Sequence, residues 1–353
     1  MKKFFGRVVS FLLLSLLLVG GYVAFETYRF LNTPASDQPQ DIIISIAPGS
    51  SFDRVARQLQ EAGAISDVDR FRMLAYARDA LGRVKAGEFL INTGWTPEQV
   101  LHQITEGQAI LYRLFIREGL TWWETARAVE TQGFARYEDF KAVIHDPEFL
   151  RAHGIPFANA EGFLFPETYL LRKPRDPLDK QQAHDVASTM VRMFWRQSEP
   201  LWKREGGPQT PHEVDPKALR HLVTLASLVE RETGVPHERG KVAGVFANRL
   251  RLGMLLQCDP TIIYGIGESF SGAIRRSQIN DASNLYNTYQ HPGLPPGPIA
   301  SPGLHSLRAA HAPYEHSYLF FVATGIDRGH TFSRTLQEHN RAVQVFRART
   351  RNK

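Results

Sequence analysis

The stretch Asp215 to Gly234, DPKALRHLVTLASLVERETG, is predicted to be one buried helix that ends on two acids. Asp215 is a good cap, and Pro216 a good first helical residue, where a missing N–H leaves nothing unsatisfied. Ala218, Leu219, Leu222, Val223, Leu225, Ala226, Leu228 and Val229 are apolar on nearly every side, and Arg220, Thr224, Ser227 and Arg231 form only a thin polar strip. Glu230 and Glu232 lie about 200° apart round such a helix. Glu232 stacks over Leu225, Leu228 and Val229, and Glu230 over Leu219, Val223 and Ala226. They face opposite sides and cannot work as a facing pair. Aliphatic neighbours dehydrate a carboxyl, which raises its pKa and preserves the proton that a general acid must give. The competing reading pairs one or both acids with Arg231 or Arg239 at an exposed helix end. Periodicity does not choose between the two acids.

Far upstream, Lys2, Lys3 and Arg7 precede an uncharged run from Val8 to Phe25, about 27 Å of helix and enough to cross a bilayer core. The positive-inside rule assigns residues 1–7 to the cytoplasm and everything after Glu26 to the far side. The run is long for a signal-peptide core and no small-x-small cleavage site follows, so a single-pass anchor is expected. One cysteine, Cys258, allows no internal disulfide, and the 43% of hydrophobic residues must supply the core instead. The formal charge of +6 is dispersed, without RNP, zinc-finger or helix-turn-helix signatures, so no nucleic-acid partner is expected. A basic exported surface suits an anionic wall polymer or lipid headgroups.

Between anchor and helix the chain reads as α+β. Asn32 to Gln40 is a Pro/Ser/Asp/Gln spacer, the later part of a linker over 26–40. Ile42 to Ile46 is a β-branched strand that turns at Pro48-Gly49 into a helix capped by Ser51 and ending at Gly63. The same punctuation returns seventy residues later: Gly49, Ser51, Ala56, Arg57 and Gly63 align with Gly119, Thr121, Ala126, Arg127 and Gly133, after a strand at Tyr112 to Ile116. The second copy carries a capping box, Thr121 with Glu124. A small βααβ module used twice is expected, the first copy closing with Glu88 to Ile91 and the helix from Thr96. Trp122 and Trp123 are expected in the core, with a sugar-stacking platform as the alternative. A charged helical stretch runs from Arg175 to Asp215, and an amphipathic helix with Val242, Val245, Phe246 and Leu250 follows Pro236. Tyr318 to Val322 and His330 to Phe332 read as a hairpin, and Gln337 to Arg349 as a closing helix.

Four stretches look more like a site than a scaffold. They are the helix ending at Glu232; Glu161 to Tyr169, EGFLFPETY; Leu256 to Thr261, LQCDPT, leading to Tyr264-Gly265; and Tyr286 to Tyr289, YNTY, followed by Gly293 to Ile299, GLPPGPI. Amides, hydroxyls and aromatics on rigid loops are what a neutral, hydroxylated sugar chain requires.

In this order and spacing the four stretches closely resemble the YceG-like (MltG) endolytic murein transglycosylases, and the resemblance covers nearly the whole chain. It implies a transmembrane helix over 8–25, a LysM-like module over 41–109 and a catalytic domain over 110–353. It also implies that the second glutamate of the E-x-E pair, Glu232, is the essential acid. Gln257, Asp259, Tyr264, Asn287, Tyr289 and Glu167 are candidates for holding sugars or orienting that acid. Cys258 and Ser301 depart from the family's usual small hydroxylated residue and its usual Asn or Thr. The implied reaction is a lyase-type cut of the bond between N-acetylmuramic acid and N-acetylglucosamine in nascent strands near the inner membrane. Its partners are peptidoglycan strands, the membrane and, as candidates, peptidoglycan synthases or division proteins. No cofactor is expected. The alternatives are a membrane-tethered wall-binding scaffold and a two-carboxylate muramidase with Asp259 as the first suspect. A metal hydrolase built on His305, His311, His316, His330 and His339 is disfavoured, because no H-E-x-x-H spacing occurs and His237-Glu238 lacks a second histidine.

Overall fold

The computed structural model describes residues 2–173, 180–203 and 206–351, with side chains from residue 11 onward. Met1 and the expected start of the charged helical stretch at Arg175 lie outside the described residues. Contacts divide the chain into two units, Met1–Tyr112 and Arg113–Lys353.

The first unit runs α1 (Lys2–Asn32), β1 (Asp41–Ile46), α2 (Phe52–Glu61), α3 (Val68–Ala77), β2 (Gly87–Asn92) and α4 (Pro97–Thr105). β1 and β2 pair antiparallel, with Ile44 opposite Phe89. Strand alternation sends Ile44, Ile46, Phe89 and Ile91 inward, while Ile43 and Leu90 stay exposed. The inward row meets Val55 and Leu59 of α2, Phe71 of α3 and Ile104 of α4 in one core. Each such side chain contributes about 1.5–3 kcal/mol by leaving water. Every helix of the module starts on a side-chain cap, Ser51, Asp67 or Thr96.

Within α1 the stretch Phe11–Asn32 is long and apolar enough to cross a membrane. The helix does not end with the apolar run at Phe25. It continues to Asn32, buries Phe30 in the module core at 6% exposure, and brings Glu26 to 3.2 Å from Arg70 of α3.

The second unit opens with β3 (Tyr112–Phe115), α5 (Trp122–Thr131), α6 (Tyr137–Ile144), α7 (Pro147–Ala152) and β4 (Thr168–Leu171), with β3 paired to β4. The repeated punctuation is thus a repeated backbone: strand, turn, capped helix, helix and returning strand, with α7 added in the second copy. Gly49 and Gly119 have φ of 72° and 76°, and Gly63 and Gly133 have 73° and 78°, conformations that only glycine adopts freely. Next come α8 (Lys180–Trp202), α9 (Pro216–Glu232), α10 (Arg239–Arg251), α11 (Asp259–Ile266), α12 (Arg276–Ile279) and α13 (Leu304–His311). The unit closes with the hairpin β5 (Phe320–Ala323) and β6 (His330–Ser333), then α14 (Leu336–Thr350).

α9 packs against α10, α11 and α13. Its burial differs from the expectation in the first turn and along the middle. Ala218 in the first turn is exposed, whereas Thr224 and Ser227 of the polar strip are buried with their aliphatic neighbours. Ser227 is satisfied there: its hydroxyl donates to the Thr224 carbonyl at 2.7 Å and accepts the Ile299 N–H at 3.0 Å. That second bond joins the proline-rich loop to the acid-bearing helix.

Candidate active site

Glu230 and Glu232, two residues apart, meet separate surroundings. The Glu230 carboxylate accepts from Arg239 at 3.3 Å and from the Gly303 N–H at 3.0 Å, and its side chain is 6% exposed. Arg239 also reaches Glu118 at 3.4 Å. Glu230 is therefore engaged in holding α10 and the start of α13 to the end of α9.

Glu232, the last residue of α9, is half-buried. Burial raises its pKa above the usual carboxylate range, and the negative charge of Asp259 adds to the rise. A hydrogen bond from the Cys258 thiol opposes it, as do the His330 imidazole and the Arg249 guanidinium, without cancelling it. The carboxyl thus keeps its proton at a higher pH than an ordinary glutamate and has charged groups within reach to stabilise the anion once the proton is gone.

The wall facing Glu232 is the LQCDPT loop at the start of α11. Gln257 sits at φ 52°, an uncommon conformation for a residue with a side chain. Its N–H donates to the Thr288 carbonyl at 3.1 Å, and the Cys258 N–H donates to Thr288 Oγ1 at 3.0 Å. Thr261 Oγ1 donates to the Cys258 carbonyl at 2.6 Å. Cys258 stands at the N-cap of α11 but makes no capping bond, so its side chain is free for Glu232. Burial pushes the thiol well above its ordinary pKa, and the nearby Glu232 adds to this. It remains an S–H donor.

The YNTY stretch completes that wall. Tyr289 donates its hydroxyl to Asp259 Oδ1 at 2.6 Å, and both residues retain exposed surface. Asn287 is fully buried, and its amide donates to the carbonyls of Gln278, Ile279 and Asp281 at 2.9–3.1 Å. It orders the loop and is not available to a ligand. Gln257 is exposed beside Cys258.

Two further elements enter through Arg249, which sequence spacing did not single out, and His330, which appeared there only in the disfavoured histidine set. Arg249 of α10 donates to the carbonyls of Leu319 at 2.7 Å and Leu256 at 2.8 Å, and lies over the Phe320 ring at 5.2 Å. It ties the hairpin to the LQCDPT loop, and burial lowers its pKa. His330 of β6 is gripped by Glu238, which accepts its Nδ1 at 2.7 Å and its backbone N–H at 2.9 Å. Ninety-two residues separate that pair, which no local motif reveals. His316 instead bonds the Lys241 carbonyl and His339 stacks on Phe320.

Tyr264 and Glu167, also expected near the acid, have other partners. Glu167 accepts the Thr168 N–H at 2.8 Å at the start of β4. Tyr264 is buried, with its hydroxyl on Glu161 and its ring 5.1 Å from Trp123 and 4.8 Å from Tyr286. Trp122 and Trp123 are half-buried rather than in the core; Trp122 meets His145 edge-on at 4.8 Å. Glu161, the first residue of the EGFLFPETY stretch, is a buried acid to which pattern reading gave no role of its own. It accepts the Trp122 N–H, at the start of α5, at 2.8 Å and the Gly162 N–H at 3.3 Å. Burial pushes its pKa up to about 8 despite these donors. Its signal in the sequence is an acid inside the apolar run ANAEGFLF, where an unpartnered carboxylate would be untenable.

The sequence profile of the YceG-like family matches residues 44–345. The chain is 28% identical over 346 residues to an endolytic murein transglycosylase of Bacillus subtilis strain 168, covering 94% of this chain and 91% of that one. A protein of the same name from Streptococcus pneumoniae D39 is 25% identical over 95% of this chain, which spans 64% of that longer relative. A yceG-like protein from Listeria monocytogenes, in a crystal structure at 2.6 Å, superposes with a TM-score of 0.54 at 25% identity, covering 86% of this chain and 99% of that one.

Proposed function

The chain belongs to the YceG-like family, and on that premise we propose that it is an endolytic murein transglycosylase whose general acid is Glu232. The observation that carries this reading is the Glu232 carboxyl itself: dehydrated and raised in pKa at the end of an apolar helix, it has the Cys258 thiol, Asp259, Arg249 and His330 within interaction distance. Glu230 two residues away is already engaged by Arg239 and Gly303.

The bond cut is the β-1,4 link from N-acetylmuramic acid to N-acetylglucosamine. Glu232 protonates the departing glycosidic oxygen. As a carboxylate it then takes the proton from the carbon-6 hydroxyl of the same muramoyl sugar, whose oxygen attacks the anomeric carbon and closes a 1,6-anhydro ring. One proton leaves Glu232 and one returns, so no water is activated and no second carboxyl is needed, unlike in a hydrolase. While Glu232 is ionised, the S–H of Cys258 and the positive charge of Arg249 stabilise it. Gln257, Asp259 and Tyr289 carry the exposed amide, carboxylate and hydroxyl that meet the sugars; Asn287 and Tyr264 keep the supporting loops in shape.

The apolar stretch of α1 supports a single-pass anchor over 8–25 in the inner membrane, with residues 1–7 cytoplasmic and the remainder periplasmic. The β1-α2-α3-β2 order supports reading residues 41–109 as a LysM-like glycan-binding module ahead of a catalytic domain at 110–353. An anchored enzyme of this kind limits nascent strands close to the membrane.

Digestion of murein sacculi in water enriched in oxygen-18 separates lyase from hydrolase. Products without the heavy isotope at the new muramoyl end support the reading. Its incorporation makes the protein a muramidase and turns attention to Asp259 as the second acid. Binding of sacculi without any cut would make it a scaffold.

A further inference from the structure

The first unit carries an apolar surface that the proposed chemistry does not use. α1 and α3 enclose a cleft of about 470 Å³, lined by Tyr22, Val23 and Phe30 on one side and Met73, Leu74 and Ala77 on the other. Met73 is 65% exposed, and Tyr76, one turn further along α3, is 78% exposed. Scattered exposed apolar residues are ordinary on a water-facing surface. These are placed differently, because Tyr22 and Val23 belong to the apolar run Val8 to Phe25 and are themselves 65% and 56% exposed.

The height of the cleft along α1 is fixed. α1 is unbroken from Lys2 to Asn32, Phe30 is locked into the module core, and Arg70 of α3 donates to Glu26 at 3.2 Å. Tyr22 to Phe30 spans only about 12 Å of helix, so α3 stands beside the end of the apolar run. The basic groups at the rim are already paired: Arg70 with Glu26 and with Asp67 at 3.8 Å, and Arg78 with Glu98 at 2.6 Å. The surface offered is apolar and close to neutral in charge.

We propose that α3 is a second membrane contact: its Met73 and Tyr76 face and the cleft it forms with α1 lie among the headgroups and upper acyl chains of the leaflet from which α1 emerges. Bilayer lipid fills the cleft, and the first unit is seated on the membrane surface. An interfacial helix of this kind inserts its apolar side only to the headgroup boundary. Because the arginines are paired within the protein, neutral lipid suffices and added salt does not release the contact.

The inference rests on α1 crossing the membrane, and the experiment separates the two. In full-length protein with Cys258→Ser, single Val19→Cys and Met73→Cys variants are labelled with bimane and reconstituted in phosphatidylcholine vesicles. Phosphatidylcholine brominated near the headgroup or deep in the chain serves as quencher, and aqueous iodide as the counter-probe. The expected result is that Val19 is quenched by deep bromines, while Met73 loses most of its emission to shallow bromines, equally at low and high salt. If Val19 is quenched and Met73 responds only to iodide, the anchor stands and the α3 contact is wrong. If Met73 is shielded from both quenchers, a protein partner or a second copy occupies the cleft, and the proposal is overturned. If neither position is quenched by lipid, the anchor reading fails and the proposal with it.

Discussion

Arg239 Nη2 lies 3.3 Å from Glu230 Oε1, with both side chains under a tenth exposed, and this ion pair engages one of the two acids of α9 within the fold. Breaking a buried pair leaves a stranded charge and costs about 3–5 kcal/mol. Glu230→Ala is therefore expected to lower unfolding free energy by roughly that amount, moderated by the remaining Arg239 contact with Glu118, as read by urea titration. Activity per folded molecule should survive. A variant of full stability and no activity would restore Glu230 as a candidate acid.

The neighbours of Glu232 should set the alkaline limb of the pH profile. The acid must be protonated at the start of the reaction, so kcat/KM falls as pH rises through its raised pKa. Asp259 contributes to the rise, so Asp259→Asn is expected to move the limb to lower pH. The Cys258 thiol favours the anion, so Cys258→Ala is expected to move it to higher pH. Profiles of the three proteins on a soluble murein fragment check both directions. Identical limbs would mean that another group controls protonation.

Glu161 should make stability pH-dependent. Its folded pKa of about 8 exceeds the ordinary glutamate value, so the folded state binds more protons than the unfolded state between the two. Stability is then fully present below the ordinary value and is lost as pH rises through about 8, by a few kcal/mol in order of magnitude. Thermal unfolding of wild type should decline across that window more steeply than that of Glu161→Gln, which cannot ionise. Parallel curves would mean that the N–H donors from Trp122 and Gly162 keep the carboxylate charged throughout.

The expectations from sequence were best where periodicity and capping act locally. The apolar run with its Asp215-Pro216 start located α9, and the glycine punctuation at Gly49 and Gly119 located the two βααβ segments. A helical projection also separated Glu230 from Glu232. Partnerships made by tertiary contact were not legible: Glu238 meets His330 across 92 residues, and Arg249 reaches Leu319 across 70. Polar side chains were ambiguous for the same reason. Asn287 looks like a ligand-binding amide in sequence and is consumed by three backbone carbonyls, whereas Ser227 looks solvent-facing and is buried. The choice of Glu232 over Glu230 as the proposed acid rests on family resemblance and not on the helical pattern.

Gly162 offers a check on how the EGFLFP stretch meets α9. Its φ is 83°, and a Cβ there would stand 2.6 Å from Val223 Cγ1 and 2.7 Å from Pro298 Cγ. Gly162→Ala combines backbone strain with overpacking against the acid-bearing helix and should destabilise by about 2–4 kcal/mol. A chemical denaturation midpoint close to wild type would mean that α9 and the proline-rich loop yield easily.

The assignment of Glu232 is tested most directly by the mass spectrum of products released from murein sacculi by wild type and by Glu232→Gln, with circular dichroism showing that both are folded. Glutamine keeps the shape and removes the transferable proton. The expected result is fragments ending in 1,6-anhydro-N-acetylmuramic acid from wild type and none from the variant. Release of the same anhydro fragments by Glu232→Gln at the wild-type rate would contradict the assignment.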